Sequence, residues 1–244
     1  MFKVNAVLVV VLSVAMLSAQ NGSQPVARAD ENSRLAHRQL VEKARRRGID
    51  VYFAGDSITR RWGTSDAAYR HFLDNWTRNF FGWNAANFGW GGDTVQNVLW
   101  RLTEGELDGV HPKVIVLMAG TNNVGSMPRD GVDAMVVESV ANGMRAILDV
   151  TQEKAPGAIV VLMGTTPRSD SLDGASVMPT IDAINARYER FADGAAQARG
   201  RVRYLNINRE LSKADGAPRE GVTVDGLHLS AIGYQMWADA LEPV

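Results

Sequence analysis

The chain has 244 residues, 45% of them hydrophobic and 22% charged, with a formal net charge of −1. That suits one globular domain with a substantial core, and with no basic excess to hold phosphates it argues against a nucleic-acid partner. There are no cysteines, which excludes disulfides, thiolate metal sites, a cysteine nucleophile and a lipid-modified cysteine.

The N-terminus reads as an export signal. Lys3 supplies the positive start, and residues 6–17 (AVLVVVLSVAML) form an apolar stretch too short to span a bilayer comfortably. A polar segment ends in Ala27-Arg28-Ala29, a small-residue cleavage pattern. The expectation is a signal peptide over 1–29 and a single domain over 30–244. That makes the protein secreted or periplasmic, with no stable membrane insertion after cleavage. An uncleaved anchor is the alternative. Cleavage after Ala29 removes Lys3 and Arg28 and no acid, leaving a net charge of −3.

A helix is expected over 33–47, with Leu35, Ala36, Leu40, Val41 and Ala44 as a loose apolar stripe and Gly48 as its C-cap. The run KARRRG at its end reads as a solvated helix terminus, where cations are favourable. Continuous apolar runs follow at 51–54, 113–119, 158–163 and 202–207, with a weaker one near 84–89. Unbroken apolarity suits strands buried on both faces of a parallel sheet. Between them lie helical patterns. Val132, Val136, Val140, Met144 and Ile147 share one face; so do Ile181, Ile184, Tyr188, Phe191 and Ala195, after Pro179. A last helix from about Ser230 is expected to bury Ile232, Met236, Trp237 and Ala240. Five alternations of strand and helix imply an α/β fold with three layers, α/β/α, around a five-stranded parallel sheet. In such sheets ligands bind beyond the carboxyl ends of the strands.

The residues at those ends are distinctive. Gly55-Asp56-Ser57 follows the first strand. Gly89-Trp90-Gly91-Gly92-Asp93-Thr94 follows the second, and Gly120-Thr121-Asn122-Asn123 the third. Asp225-Gly226-Leu227-His228 lies beyond the fifth. Each run alone is ordinary turn chemistry; their common order and placement is what carries weight. The glycine run misses the G-x-G-x-x-G spacing, because Thr94 holds the sixth position, and no G-x-x-x-x-G-K-[ST] loop occurs. No histidine pair has the helical spacing of a metal hydrolase. The expectation is that no metal and no cofactor takes part.

Together the four blocks resemble the SGNH (GDSL) family of serine esterases and acylhydrolases, over roughly residues 49–241. The matching stretches are Gly55-Asp56-Ser57, the run Asn87 to Thr94, Gly120-Thr121-Asn122-Asn123 and Asp225 to His228. The stretch NFGWGGDTVQNVLWRL is also similar to the intracellular platelet-activating-factor acetylhydrolase catalytic subunits. The resemblance implies the flavodoxin-like SGNH hydrolase fold. Asn123 departs from it, since many members carry Asp there.

Chemistry supports the same residues. A serine hydroxyl needs an adjacent base to act as a nucleophile. Of the four histidines, His37 and His71 lie in helical stretches and His111 precedes a strand; only His228 lies in a loop that can reach the strand ends. Asp225 is placed to accept the imidazole Nδ1–H, leaving Nε2 to face Ser57. The catalytic candidates are therefore Ser57, Asp225 and His228. Oxyanion donors are expected from the Ser57 N–H, the Gly92 N–H and the Asn122 side chain. Asp56 is read as structural and Thr94 as a helix cap. Trp62, Trp90 and Asn123 are candidate substrate contacts, and the polar loop 164–178 is a candidate cleft wall. The reading is an exported esterase for short acyl groups, with a small acyl ester or acetylated carbohydrate as partner. A lipid-directed esterase or thioesterase, or a binding protein on the same fold, is the alternative.

Overall fold

The computed structural model describes residues 22–125, 131–170, 176–193, 201–242 and 244. Five parallel strands, β1 (Val51–Gly55), β2 (Ala85–Gly89), β3 (Val114–Met118), β4 (Ile159–Met163) and β5 (Val202–Leu205), form one sheet in the order β2-β1-β3-β4-β5. The strands match the apolar runs to within two residues at either end. β1, β3 and β4 take the central places because their side chains are apolar on both faces; all of β1 is buried. In register, Gly55 at the end of β1 sits between Gly89 and Met118. The loops after β1, β2 and β3 thus leave the sheet side by side.

Alternate strand residues feed two separate cores. Tyr52, Ala54, Phe88, Leu117 and Leu162 pack on one face against α1 (Glu31–Arg45), α4 (Val95–Arg101), α6 (Ala134–Lys154) and α7 (Met178–Asp193). Phe53, Val116, Met118, Val161 and Met163 pack on the other against α2 (Ser57–Gly63), α3 (Arg70–Phe80), the short α8 (Asn208–Leu211) and α9 (Ala231–Leu241). One further short helix, α5 (Thr121–Val124), follows β3. The α/β/α layering is the expected one.

Three details of the helical faces differ from the sequence reading. Val132 precedes the N-cap Asp133 of α6 and is 51% exposed. Ile232, in the first turn of α9, is 56% exposed, while Tyr234 and Trp237 take the buried face. Leu35 is exposed, so the buried side of α1 rests on Ala36 and Ala44. Ala195 lies outside the described residues.

The segment read as the end of the leader lies against the domain. The Val26 N–H donates to Gln96 O at 3.1 Å, and Asn97 Nδ2 donates back to Val26 O at 2.8 Å.

Candidate active site

α2 begins where β1 ends. Asp56 is its N-cap and accepts from Ile58 N at 2.9 Å, so Ser57 opens the helix at the C-terminal end of the sheet. Asp56 is buried; burial pushes its carboxyl up to about 7, against the opposing pull of the Ile58 N–H. The first turn of α2, next to Ser57, is pinned by Tyr234 of α9, whose hydroxyl donates to Ile58 O at 2.6 Å.

His228 comes from the loop before α9. Its Nε2 lies 2.9 Å from Ser57 Oγ and its Nδ1 lies 2.7 Å from Asp225 Oδ2. The other carboxylate oxygen of Asp225 accepts from the backbone N–H groups of Leu227 and His228, at 3.1 and 2.8 Å. Partial burial works to raise the Asp225 carboxyl, but the bonds from the His228 backbone and ring outweigh it and hold the group at about 2. An ionised Asp225 fixes the imidazole with its proton on Nδ1, leaving Nε2 as acceptor for the serine hydroxyl. Burial lowers the His228 pKa and Arg61 lowers it further, while Asp225 and Asp170 oppose them. Arg61 Nη1 lies 3.3 Å from Asp225 Oδ2, and its guanidinium stacks on Tyr69 at 4.9 Å.

The loop after β2 supplies the opposing wall. A Cβ built on Gly91 would lie 4.0 Å from Ser57 Cβ. Gly92 has φ +78°, a left-handed conformation that disfavours side chains. Thr94 then caps α4 through a reciprocal pair with Asn97, as expected. From the loop after β3, Asn122 Nδ2 donates to Asp93 O at 2.8 Å, which fixes its amide beside this loop. Among the described residues, no hydrogen bond takes the N–H of Ser57 or of Gly92. The structure thus gathers Ser57, Gly92 and Asn122 at one end of the sheet as potential donors.

The three expected substrate contacts fare differently. Trp62 is fully buried: its indole N–H donates to Asn75 Oδ1 at 2.8 Å, and its rings pack with Trp76, Tyr234 and Trp237. It is core, not substrate wall. Asn123 braces loops, accepting from Val95 N at 3.0 Å and donating to Gln96 Oε1 at 2.9 Å. The Trp90 indole donates to Ser33 Oγ at 2.8 Å and carries Arg60 over its face at 4.7 Å. It lines, with Lys43, Arg46 and Arg60, a cleft of about 500 Å³ between α1 and the C-terminal end of α2.

The 164–178 loop is less open than its polar composition suggests. Thr165, Thr166 and Arg168 are buried, and residues 171–175 lie outside the described set. Arg168 Nη1 holds the Thr121 carbonyl and hydroxyl, both at 3.0 Å, and its remaining nitrogens grip Asp170 at 2.6 and 2.7 Å. The Ser169 N–H donates to Gly226 O at 2.7 Å. The loop therefore ties the β3 loop to the Asp225–His228 loop.

Sequence reasoning passed over Arg61, Arg168 and Arg101. Arg101 carried a signal: it lies three residues after Val98, at the spacing of the buried face of α4. It donates to the carbonyls of Gly55 at 3.1 Å and Phe88 at 2.9 Å, and so clamps the ends of β1 and β2. Among the described residues no group of three or more His, Asp or Glu converges in a metal-holding arrangement.

Residues 53–236 match the GDSL-like lipase/acylhydrolase family. Over 198 residues the chain is 32% identical to platelet-activating factor acetylhydrolase IB subunit alpha1 of Bos taurus, covering 81% of this chain and 75% of that one. It is 29% identical to the alpha2 subunit of Rattus norvegicus, covering 88% of each. In fold it is similar to a GDSL-like lipase from Bacteroides thetaiotaomicron, with a TM-score of 0.63 at 18% identity over 85% of this chain and 95% of that one. It is similar too to a variant of an acetyl-xylooligosaccharide esterase from Geobacillus Stearmophilus, at 0.54 and 18% over 79% and 92%. The chain belongs to the GDSL-like lipase/acylhydrolase family, whose members are ester-hydrolysing serine hydrolases.

Proposed function

We propose that the protein is an exported esterase that removes short acyl groups, acetyl foremost, through Ser57 as nucleophile, His228 as base and Asp225 as its orienting carboxylate. The observation that carries this is the continuous hydrogen-bonded chain from Ser57 Oγ through His228 to Asp225, at 2.9 and 2.7 Å. His228 takes the serine proton as Oγ attacks the ester carbonyl, and returns it to the leaving alcohol. Water, activated by the same imidazole, then releases the acid. The Ser57 and Gly92 N–H groups and the Asn122 amide receive the negative charge of each tetrahedral intermediate.

Acetyl is favoured because the relatives of highest identity above are named acetylhydrolases. Trp90, whose indole is engaged by Ser33 and Arg60, is not part of the argument for a small acyl group. Export is supported by the apolar stretch at 6–17. A lipid-directed esterase is the second reading. Val224 and Ile232 are both more than half exposed and flank the Asp225–His228 loop, where an acyl chain or lipid surface could rest on them.

The deciding experiment compares kcat/KM for p-nitrophenyl esters from two to twelve carbons, alongside acetate release from acetylated xylan. The reading expects the highest values at two to four carbons together with release from the polysaccharide. An optimum at eight carbons or more, abolished by Val224→Ser with Ile232→Ser, would replace it with the lipid-directed one.

A further inference from the structure

The residues just before α1 reach the site itself. Gly22 is pressed so closely on α6 that a Cβ there would fall 1.6 Å from Ser139 O. Val26 then runs beside α4, bonded to Gln96 and Asn97. From this track Arg28 extends to the loop after β2. Its Nη1 donates to Gly91 O at 3.0 Å and to Asp93 Oδ1 at 3.3 Å, and lies 3.0 Å from where a Cβ on Gly92 would stand.

Arg28 supplies the second cation in contact with Asp93. Asp93 is buried, and its second oxygen, Oδ2, accepts from Arg101 Nε at 2.6 Å. Arg101 also pairs with Glu106, which is buried too. Two buried carboxylates thus share one buried guanidinium. On the Glu106 side Lys43, bonded to Asn87 O at 2.7 Å, adds a second positive charge, and His37 Nδ1, 2.9 Å from Glu106 Oε1, adds one only when protonated. On the Asp93 side, beside Gly92, the cation that joins Arg101 is Arg28. Asp30 draws on the outer side of Arg28 at 3.3 Å, but from an exposed position where solvent screens it. A fixed negative charge beside an oxyanion site opposes the charge that grows there, and it acts more strongly in a partly dry site than in water.

We propose that Arg28 is a positioning residue for ester hydrolysis: it holds the Gly91–Asp93 loop and joins Arg101 in offsetting the Asp93 charge, so that Gly92 can receive the oxyanion. The proposal rests on the serine-esterase reading. It also makes residues 22–29 part of the working enzyme, so export processing has to fall upstream of Gly22 rather than after Ala29.

The test compares wild type with Arg28→Ala, Arg28→Lys and Ser57→Ala in the full chain. It reads kcat and KM on p-nitrophenyl acetate, the affinity of the folded protein for a boronic acid that forms an anionic adduct with serine, and the N-terminus of the exported chain by intact mass. Arg28→Ala should lower kcat at least about tenfold with KM changed less than about twofold. Its boronate affinity should fall in parallel, and Arg28→Lys should restore part of both, because the charge returns without the fork. The exported chain should retain Arg28. Unchanged kcat and boronate affinity in Arg28→Ala, equal losses in the Ala and Lys variants, or an exported chain that begins at Asp30 would each overturn the proposal. Ser57→Ala keeps the two readings apart. If it stays active, the serine-esterase reading itself fails. If it is inactive while Arg28→Ala behaves as wild type, only the role of Arg28 falls.

Discussion

Asn122→Ala isolates the side-chain donor from the rest of the machinery. Asn122 makes one bond that bears on the fold, from Nδ2 to Asp93 O at 2.8 Å. Its loss costs about 1 kcal/mol, since a single neutral hydrogen bond contributes about that much net. For a domain of this size that is a shift of roughly 2–4 °C in the melting midpoint. The effect on turnover should be much larger. Removing one of three preorganised donors to an oxyanion costs about 2.7–4 kcal/mol in the transition state, or roughly 10²–10³ in kcat. The ground-state ester carries little charge on its carbonyl oxygen, so KM should change little. The assay is steady-state hydrolysis of p-nitrophenyl acetate beside a thermal melt of the same preparation. Asn122→Asp sharpens it: the substitution removes the donor and places a carboxylate where charge develops, so it should be slower still. If Asn122→Ala keeps kcat within about tenfold of wild type, Asn122 is a loop brace and the oxyanion is held by backbone alone.

With His228 as the proposed base, turnover requires its neutral form; burial and Arg61 lower its pKa from the usual 6.5, so activity should rise with a midpoint below 6.5. Arg61→Met removes a neighbouring cation and frees Asp225 Oδ2, both of which favour the imidazolium; the midpoint should move to higher pH, and a pH profile of kcat/KM that stays fixed or moves down would refute this. Trp62→Ala should destabilise the fold by about 3–5 kcal/mol in urea unfolding, as for large buried aromatics elsewhere. Its acyl-chain preference should be unaltered, and a changed preference with little loss of stability would return Trp62 to the substrate site.

What could be read in the sequence followed from local chemistry. Strands buried on both faces leave unbroken apolar runs, so β1, β3 and β4 stand out, and the residues that follow them come to one end of the sheet by topology alone. The proximity of Ser57, Asp225 and His228 was expected from the four ordered blocks that resemble the SGNH family and from the one histidine that lies in a suitable loop, and the three do lie within hydrogen-bonding distance. The failures share a different cause: partners far away in sequence. Trp62 follows Ser57 closely, but five residues along a helix turn it about 140° away from the serine, toward Asn75 and the aromatic core of α3 and α9. The Trp90 indole is oriented by Ser33, 57 residues earlier. Arg168 was passed over within the polar 164–178 loop, yet it is buried because Thr121 and Asp170 receive it. Arg28, read within a cleavage pattern, also has distant partners that the sequence does not display, Gly91 and Asp93.

The role of Ser57 as an activated nucleophile is tested most directly by labelling with a fluorophosphonate, followed by peptide mass spectrometry on wild type, Ser57→Ala and His228→Ala. The account predicts one label per chain on the peptide containing Ser57. Labelling should be absent in Ser57→Ala and slowed by orders of magnitude in His228→Ala, with ester hydrolysis lost in step. Wild-type protein that hydrolyses esters without labelling, or that labels at a residue other than Ser57, would contradict it.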